Sequence, residues 1–306
     1  MTSTNSASPS AIAPEALRAF ADVIASARAA IDPDLYALAR ARIATLLGVA
    51  DAAPAGEKIR ALPSWPDSPL FSDRERACLA FAEQFVLDVS AVSDEQRAAL
   101  AGALGKGAAA FGQALYAIDF ELRLRNAFAQ LFGADPIPAP SGATPGALWP
   151  TLEAMMPVIA RLAALDPLTT ELVRLRGARI HSCRMCKSLR NARAFAQGGG
   201  ETTFDKIDAF EQSDLAERHK VALRLVDAVL FRPGDFPSGL AEQLREHWTP
   251  AQIVELLLDI ARNALNKFAV AMGVDGVGVG ESTGFYDTDE RGEMVYGLAR
   301  PELASA

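Results

Sequence analysis

Apolar and polar positions alternate along this chain with the period of a helix rather than that of a strand. The clearest case runs from Pro250 to Met272. There Ile253, Leu256, Leu257, Ile260, Ala264 and Phe268 form one apolar stripe behind a Thr249-Pro250 start. From Pro14 onward nearly every segment is of this kind, rich in Ala, Leu, Glu and Arg and punctuated by Asp-Pro, Ser-Asp and Gly. The pattern predicts an all-α protein. Residues 1–13, rich in Ser, Thr, Ala and Pro, are expected to be disordered. Residues 276–306 turn Gly-rich and then polar, and predict an extended arm that packs Phe285 and Tyr286 onto another subunit or the neighbouring half.

The helical stripes also recur, which predicts a duplication. Asp32, Pro33, Leu38, Arg40, Arg42 and Ala44 overlie Asp166, Pro167, Leu172, Arg174, Arg176 and Ala178. The segment Cys78 to Phe85 resembles Ala222 to Val229, and Asp119, Asn126, Phe128, Gly133 and Asp135 coincide with Asp259, Asn266, Phe268, Gly273 and Asp275. Two tandem helical domains follow, residues 14–136 and 147–275, joined by a linker at 137–146 of Pro, Ser and Gly composition. The halves differ where chemistry would sit: Glu171, Cys183 and Cys186 face Ala37, Val49 and Ala52, so the first half keeps the framework without the polar constellation.

That constellation lies in the stretch Glu171 to Gln197. Cys183 and Cys186 stand three apart and share a helix face, close enough to join as a disulfide or to bind one partner together. Ser182 reads as an N-cap and Gly198 to Gly200 as a stop, which puts both thiols in the first turn of a helix. The dipole there, with Lys187 and Arg190 on the following turn, favours a thiolate. Two buried inert cysteines, a zinc site, a redox dithiol and a non-redox active site are the readings open to the pair. Zinc requires about four ligands, and no second Cys-x-x-Cys exists, so His181, His219 or His247 would have to be recruited. Cys78, among Leu79, Phe81 and Phe85, reads as core.

Composition narrows the setting. The formal charge is −8 and the basic residues are dispersed, so no nucleic acid partner is implied. The first residues lack the basic start and apolar run of a secretion signal. No uncharged apolar run approaches the roughly 18 residues of a spanning helix, so no membrane association is expected. The expected compartment is the cytoplasm, where reducing conditions favour a catalytic or metal-binding role for Cys-x-x-Cys over a structural disulfide. Gly276, Gly278 and Gly280 lack the βαβ unit of a dinucleotide loop, and Gly102 to Gly107 lacks the spacing of a P-loop.

A glutamate, eleven intervening residues, Cys-x-x-Cys and a helix ending in glycines, within an all-α chain, resembles the alkylhydroperoxidase D-like (AhpD-like) branch of the carboxymuconolactone decarboxylase family. The motif covers Glu171 to Gly198, and the helices up to about Asp275 match the general plan. The resemblance implies a thiol peroxidase or disulfide oxidoreductase without metal, haem or other cofactor. Cys186 would attack the peroxide, Cys183 would resolve the sulfenic acid, and Glu171 would start a proton relay. Thioredoxin logic would instead favour Cys183 as the attacking thiol. Its partners would be a small hydroperoxide and an external dithiol or thioredoxin-like donor. Where the family motif has a histidine four after the second cysteine, this chain has Arg190. Arginine is no general base near neutral pH, and His181 is the nearby histidine that would take over proton transfer. The family's ring assemblies imply a homo-oligomer, a trimer of pseudo-dimers. The alternatives are a lyase of the decarboxylase branch, for which the thiols would be dispensable, and a non-catalytic redox sensor or interaction protein.

Overall fold

Asp-Pro, Ser-Asp and Thr-Pro steps open five of the helices, because each supplies a capping oxygen, and several a preset φ, where the first backbone N–H groups lack partners. The computed structural model describes residues 8–51, 56–139, 147–276, 280 and 282–303. The first half contains α1 (Pro9–Ile12), α2 (Pro14–Ala30), α3 (Pro33–Leu47), α4 (Glu57–Ala61), α5 (Asp73–Leu87), α6 (Asp94–Leu104) and α7 (Ala108–Phe132). The second contains α8 (Leu148–Ala160), α9 (Pro167–Ile180), α10 (Arg184–Lys187), α11 (Ala192–Ala194), α12 (Gly200–Phe204), α13 (Glu217–Phe231), α14 (Leu240–His247), α15 (Pro250–Ala264) and α16 (Lys267–Ala271). Asp32 Oδ1 accepts from the Asp34 and Leu35 N–H groups at the start of α3, and Asp166 Oδ1 accepts from Thr169 N at the start of α9. Thr249 and Gln252 close a reciprocal capping box on α15.

The protein is mainly helical, as the pattern predicts, with one small sheet that the pattern did not indicate. Leu189–Asn191 (β1), Gly284–Thr288 (β2) and Met294–Leu298 (β3) form a sheet in the order β1-β2-β3, the first pair parallel and the second antiparallel. The turn between β2 and β3 has Asp289, whose Oδ1 accepts from Arg291 N and Glu293 N, and Gly292 at φ +84°. The expected arm is therefore a hairpin laid on the half that carries the cysteines. Phe285 meets Phe195 edge to face, with ring centroids 5.2 Å apart, and Tyr286 is buried against α9. Expected disorder is also corrected at Pro9–Ile12, which is helical because Pro9 presets the first turn, is buried, and brings α1 onto α15. Residues 1–7, Gly278 and most of the expected linker lie outside the described residues.

The two expected domains share one apolar core, in which Phe20, Phe81, Phe111 and Phe128 join Leu152, Val226, Leu256 and Leu257. Side chains of the first half also cap helices of the second. Arg123 donates to the carbonyls of Val229 and Leu230 at 2.7 and 2.8 Å, and Arg97 donates to Ala271 O at 3.1 Å. At the centre, Asp119 accepts from Arg123 Nε at 2.6 Å and from Lys267 Nζ at 2.7 Å, all three residues being buried. Among the described residues no helix is long and apolar enough to cross a membrane.

Candidate active site

α9 ends at Ile180 with His181 as its C-cap, and the next residue, Ser182, takes a left-handed φ of +54°. Ser182 N donates to Arg179 O and Cys183 N to Ala178 O at 3.0 Å each, so Ser182 closes α9 instead of capping the next helix. The N-cap of α10 is Cys183 itself, whose Sγ accepts from Cys186 N at 3.3 Å. Asp275 covers the other free donors of this turn: its Oδ2 accepts from Arg184 N at 2.7 Å and its carbonyl from Met185 N at 3.1 Å. Its carboxylate also pairs with the Arg184 guanidinium at 2.8 Å.

The long helix expected up to Gln197 is cut after Lys187. Arg174 donates to Cys186 O at 2.8 Å and to Leu189 O at 2.7 Å, taking carbonyls that a continuing helix would use itself. Gly284 N takes Ser188 O at 2.8 Å and starts the parallel pairing of β1 with β2. With only four residues in α10, direct hydrogen bonds rather than a long helix's dipole set the charge at the sulfurs.

Both cysteines are free thiols, 1% exposed at Cys183 and 7% at Cys186. The neighbouring Cys186 thiol and the Cys186 N–H, which donates to Cys183 Sγ at 3.3 Å, hold Cys183 below the ordinary thiol range against the opposing effect of burial. Cys186 is pushed the other way, first by the Cys183 sulfur and then by burial. Of the two, Cys183 is therefore the thiol that gives up its proton more readily.

Glu171 is 1% exposed and accepts four hydrogen bonds: from Arg174 Nε and Nη2 at 2.7 Å each, and from Asn191 N and Tyr286 Oη at 3.0 Å each. These saturate both carboxylate oxygens, so Glu171 ties α9 to both β1 and β2 and its partners are not the thiols. Arg190 lies on β1, not on the cysteine helix. It pairs with Glu201 at 3.0 Å, donates to Lys187 O and Leu189 O, and lies 5.7 Å from the Phe204 ring centre. Lys187 is exposed and reaches Ser182 Oγ at 3.2 Å. His181 is buried, and burial followed by the charges of Lys267 and Arg123 hold its pKa well below the usual histidine value, so the ring is neutral at physiological pH.

Sequence reading missed Asp275 and Tyr286 as parts of the site. Asp275 was already visible as a position that coincides with Asp135 of the first half. His219 and His247 lie away from the thiols on α13 and α14, and among the described residues no group of three His, Cys, Asp or Glu is placed to hold a metal ion.

Fold and site together define a mainly helical protein with a pair of buried free thiols at the start of a short helix. The chain is 39% identical over 241 residues, 76% of its own length and 83% of the relative's, to two proteins of Mycobacterium tuberculosis: uncharacterized protein MT2376 of strain CDC 1551 / Oshkosh and uncharacterized protein Rv2313c of strain ATCC 25618 / H37Rv. It belongs to the family these proteins form. Uncharacterized protein YnjA of Escherichia coli K12 is 32% identical over 123 residues, 37% of this chain and 64% of that relative. No protein-family model matches the chain, and no solved structure does.

Proposed function

We propose that this protein is an AhpD-like thiol oxidoreductase that reduces a small hydroperoxide at Cys183 and Cys186, with an external dithiol resetting the pair. The observation that carries the reading is the adjacency of the two buried thiols, with the Cys186 N–H donating to Cys183 Sγ at 3.3 Å. The resemblance assigns attack to Cys186; the hydrogen bonding favours Cys183, the thiol that ionises more readily. In the proposed reaction the Cys183 thiolate attacks the terminal peroxide oxygen and the O–O bond breaks. The departing alkoxide takes the Cys186 proton and leaves as the alcohol. Cys186, now a thiolate, attacks the Cys183 sulfenic acid, forms the disulfide and expels hydroxide, which solvent protonates to water. Glu171 acts in this scheme as a positioning residue, through Arg174 and its bond to Cys186 O.

Adding hydroperoxide to the reduced protein is expected to remove two free thiols per chain. In Cys186→Ser a sulfenic acid on Cys183 should be trapped by a dione reagent. Trapping on Cys186 in Cys183→Ser instead would restore the opposite order. No loss of thiols in the wild-type chain would end the reading.

The same proposal includes a tandem duplication with a degenerate first half. α2, α3, α5, α6 and α7 correspond in order to α8, α9, α13, α14 and α15. The packed pairs agree as well: α3 with α5 and α7, α9 with α13 and α15, α5 with α6, and α13 with α14. Arg42 pairs with Glu83 as Arg176 pairs with Asp227, at matched positions of the two halves. A homo-oligomer goes with this reading, and light scattering that returns a monomer would remove that part of it.

A further inference from the structure

Between α9, α15 and the hairpin lies a cavity of about 270 Å³, lined in part by Glu171 and Arg174 but by neither cysteine. Four arginines line it: Arg161, Arg174, Arg193 and Arg262. Three of them already hold a carboxylate, Arg161 with Glu15 at 3.0 Å, Arg174 with Glu171 at 2.7 Å and Arg193 with Asp287 at 2.8 Å. Arg262 is 6% exposed, and its hydrogen-bond partners among the described residues are neutral: Met156 O at 3.2 Å and Met294 Sδ at 3.4 Å. A guanidinium has five N–H groups, and a buried one with no carboxylate hydrogen-bonded to it among the described residues is costly unless an anion arrives to pair with it.

The acids nearest in sequence on its own helix have no hydrogen bond to it among the described residues, although its charge acts on Asp259. Asp259 is bonded to Thr170, and burial pushes its carboxyl up to about 7. Glu255 accepts from Ala164 N at 2.6 Å. Leu162, Leu165 and Pro167 give the cavity an apolar side. Glu171, Glu255, Asp289 and Glu290 also line it and repel a dianion about twice as strongly as a monoanion, and one planar carboxylate fits a single guanidinium fork.

We infer that this cavity is a binding site for a small aliphatic monocarboxylate, held by Arg262 with its carbon chain against Leu162, Leu165 and Pro167. The site does not depend on whether the thiols turn over peroxide.

Calorimetric titration of the full chain at fixed ionic strength, with propionate, propionamide and inorganic phosphate as probes, tests it. Propionate should bind at one site per chain, with the other two weaker by on the order of tenfold or more. Arg262→Gln should weaken propionate on the order of ten- to a hundredfold. Ala163→Phe, an exposed change on the cavity wall, should weaken it too and covers the case that the arginine variant does not fold. Absence of saturable propionate binding, tighter binding of phosphate, or full affinity in either folded variant would overturn the assignment.

Discussion

Single side chains hold the thiol turn in place through buried charge. Arg174 neutralises Glu171 and also binds Cys186 O and Leu189 O, so one guanidinium secures the carboxylate, α10 and β1 together. Arg174→Met strands a carboxylate that is 1% exposed, and a loss of about 3–5 kcal/mol is expected in urea unfolding. Tyr286→Phe removes one bond to the same carboxylate and should cost about 1.5–3 kcal/mol, leaving the pair with Arg174 intact. An equal loss in the two variants would mean that the hairpin, not the ion pair, carries the stability. Glu171 was legible in the sequence through its spacing from Cys183; its bond to Tyr286 was not, because Tyr286 lies 115 positions away along the chain.

At the scale of elements, α15 is an apolar helix that nevertheless turns Glu255, Asp259 and Arg262 inward, all buried. Burial raises the Asp259 carboxyl to about 7, with the Arg262 charge opposing and Glu255 adding to the rise. The unfolded value is about 3.9. Between these limits the folded chain keeps a proton that the unfolded chain releases, so this group removes stability as pH rises from about 4 to about 7. Asp259→Asn abolishes that slope. Relative to wild type its thermal midpoint should rise at pH 8, by up to about 4 kcal/mol of stability, and the gain should vanish near pH 4. A gain of the same size at both pH values would contradict the assignment. The apolar stripe of α15 could be read from spacing alone, whereas β1 could not: its three residues leave the helical pattern because Arg174 and Gly284 claim the carbonyls around them.

Across the whole molecule, the halves are joined by a common core and by the buried Asp119–Lys267 pair, in which burial lowers the lysine to about 8. One cooperative unfolding transition is therefore expected, and two resolved transitions in calorimetry would separate the halves. Close backbone approach adds a second test. A Cβ on Gly234 would stand 2.4 Å from Gly48 O and 2.8 Å from Leu47 O, both in the first half. Backbone cannot yield as a flexible side chain can, so Gly234→Ala should cost at least about 1–3 kcal/mol and loosen the contact between the halves. An unchanged unfolding midpoint would show that the contact can open freely.

The helical period, the Asp-Pro and Thr-Pro starts and the three-residue spacing of the thiols are local properties, and the sequence alone determined them because capping and amphipathic stripes depend on near neighbours. Tertiary structure decided the rest: that Ser182 ends one helix while Cys183 caps the next, that Glu171 is saturated by Arg174 and Tyr286, and that Arg190 turns to Glu201. It also decided that the C-terminal residues close a sheet over their own half. Each of these depends on groups distant in sequence competing for the same few donors and carbonyls, and that competition has no signature in local spacing.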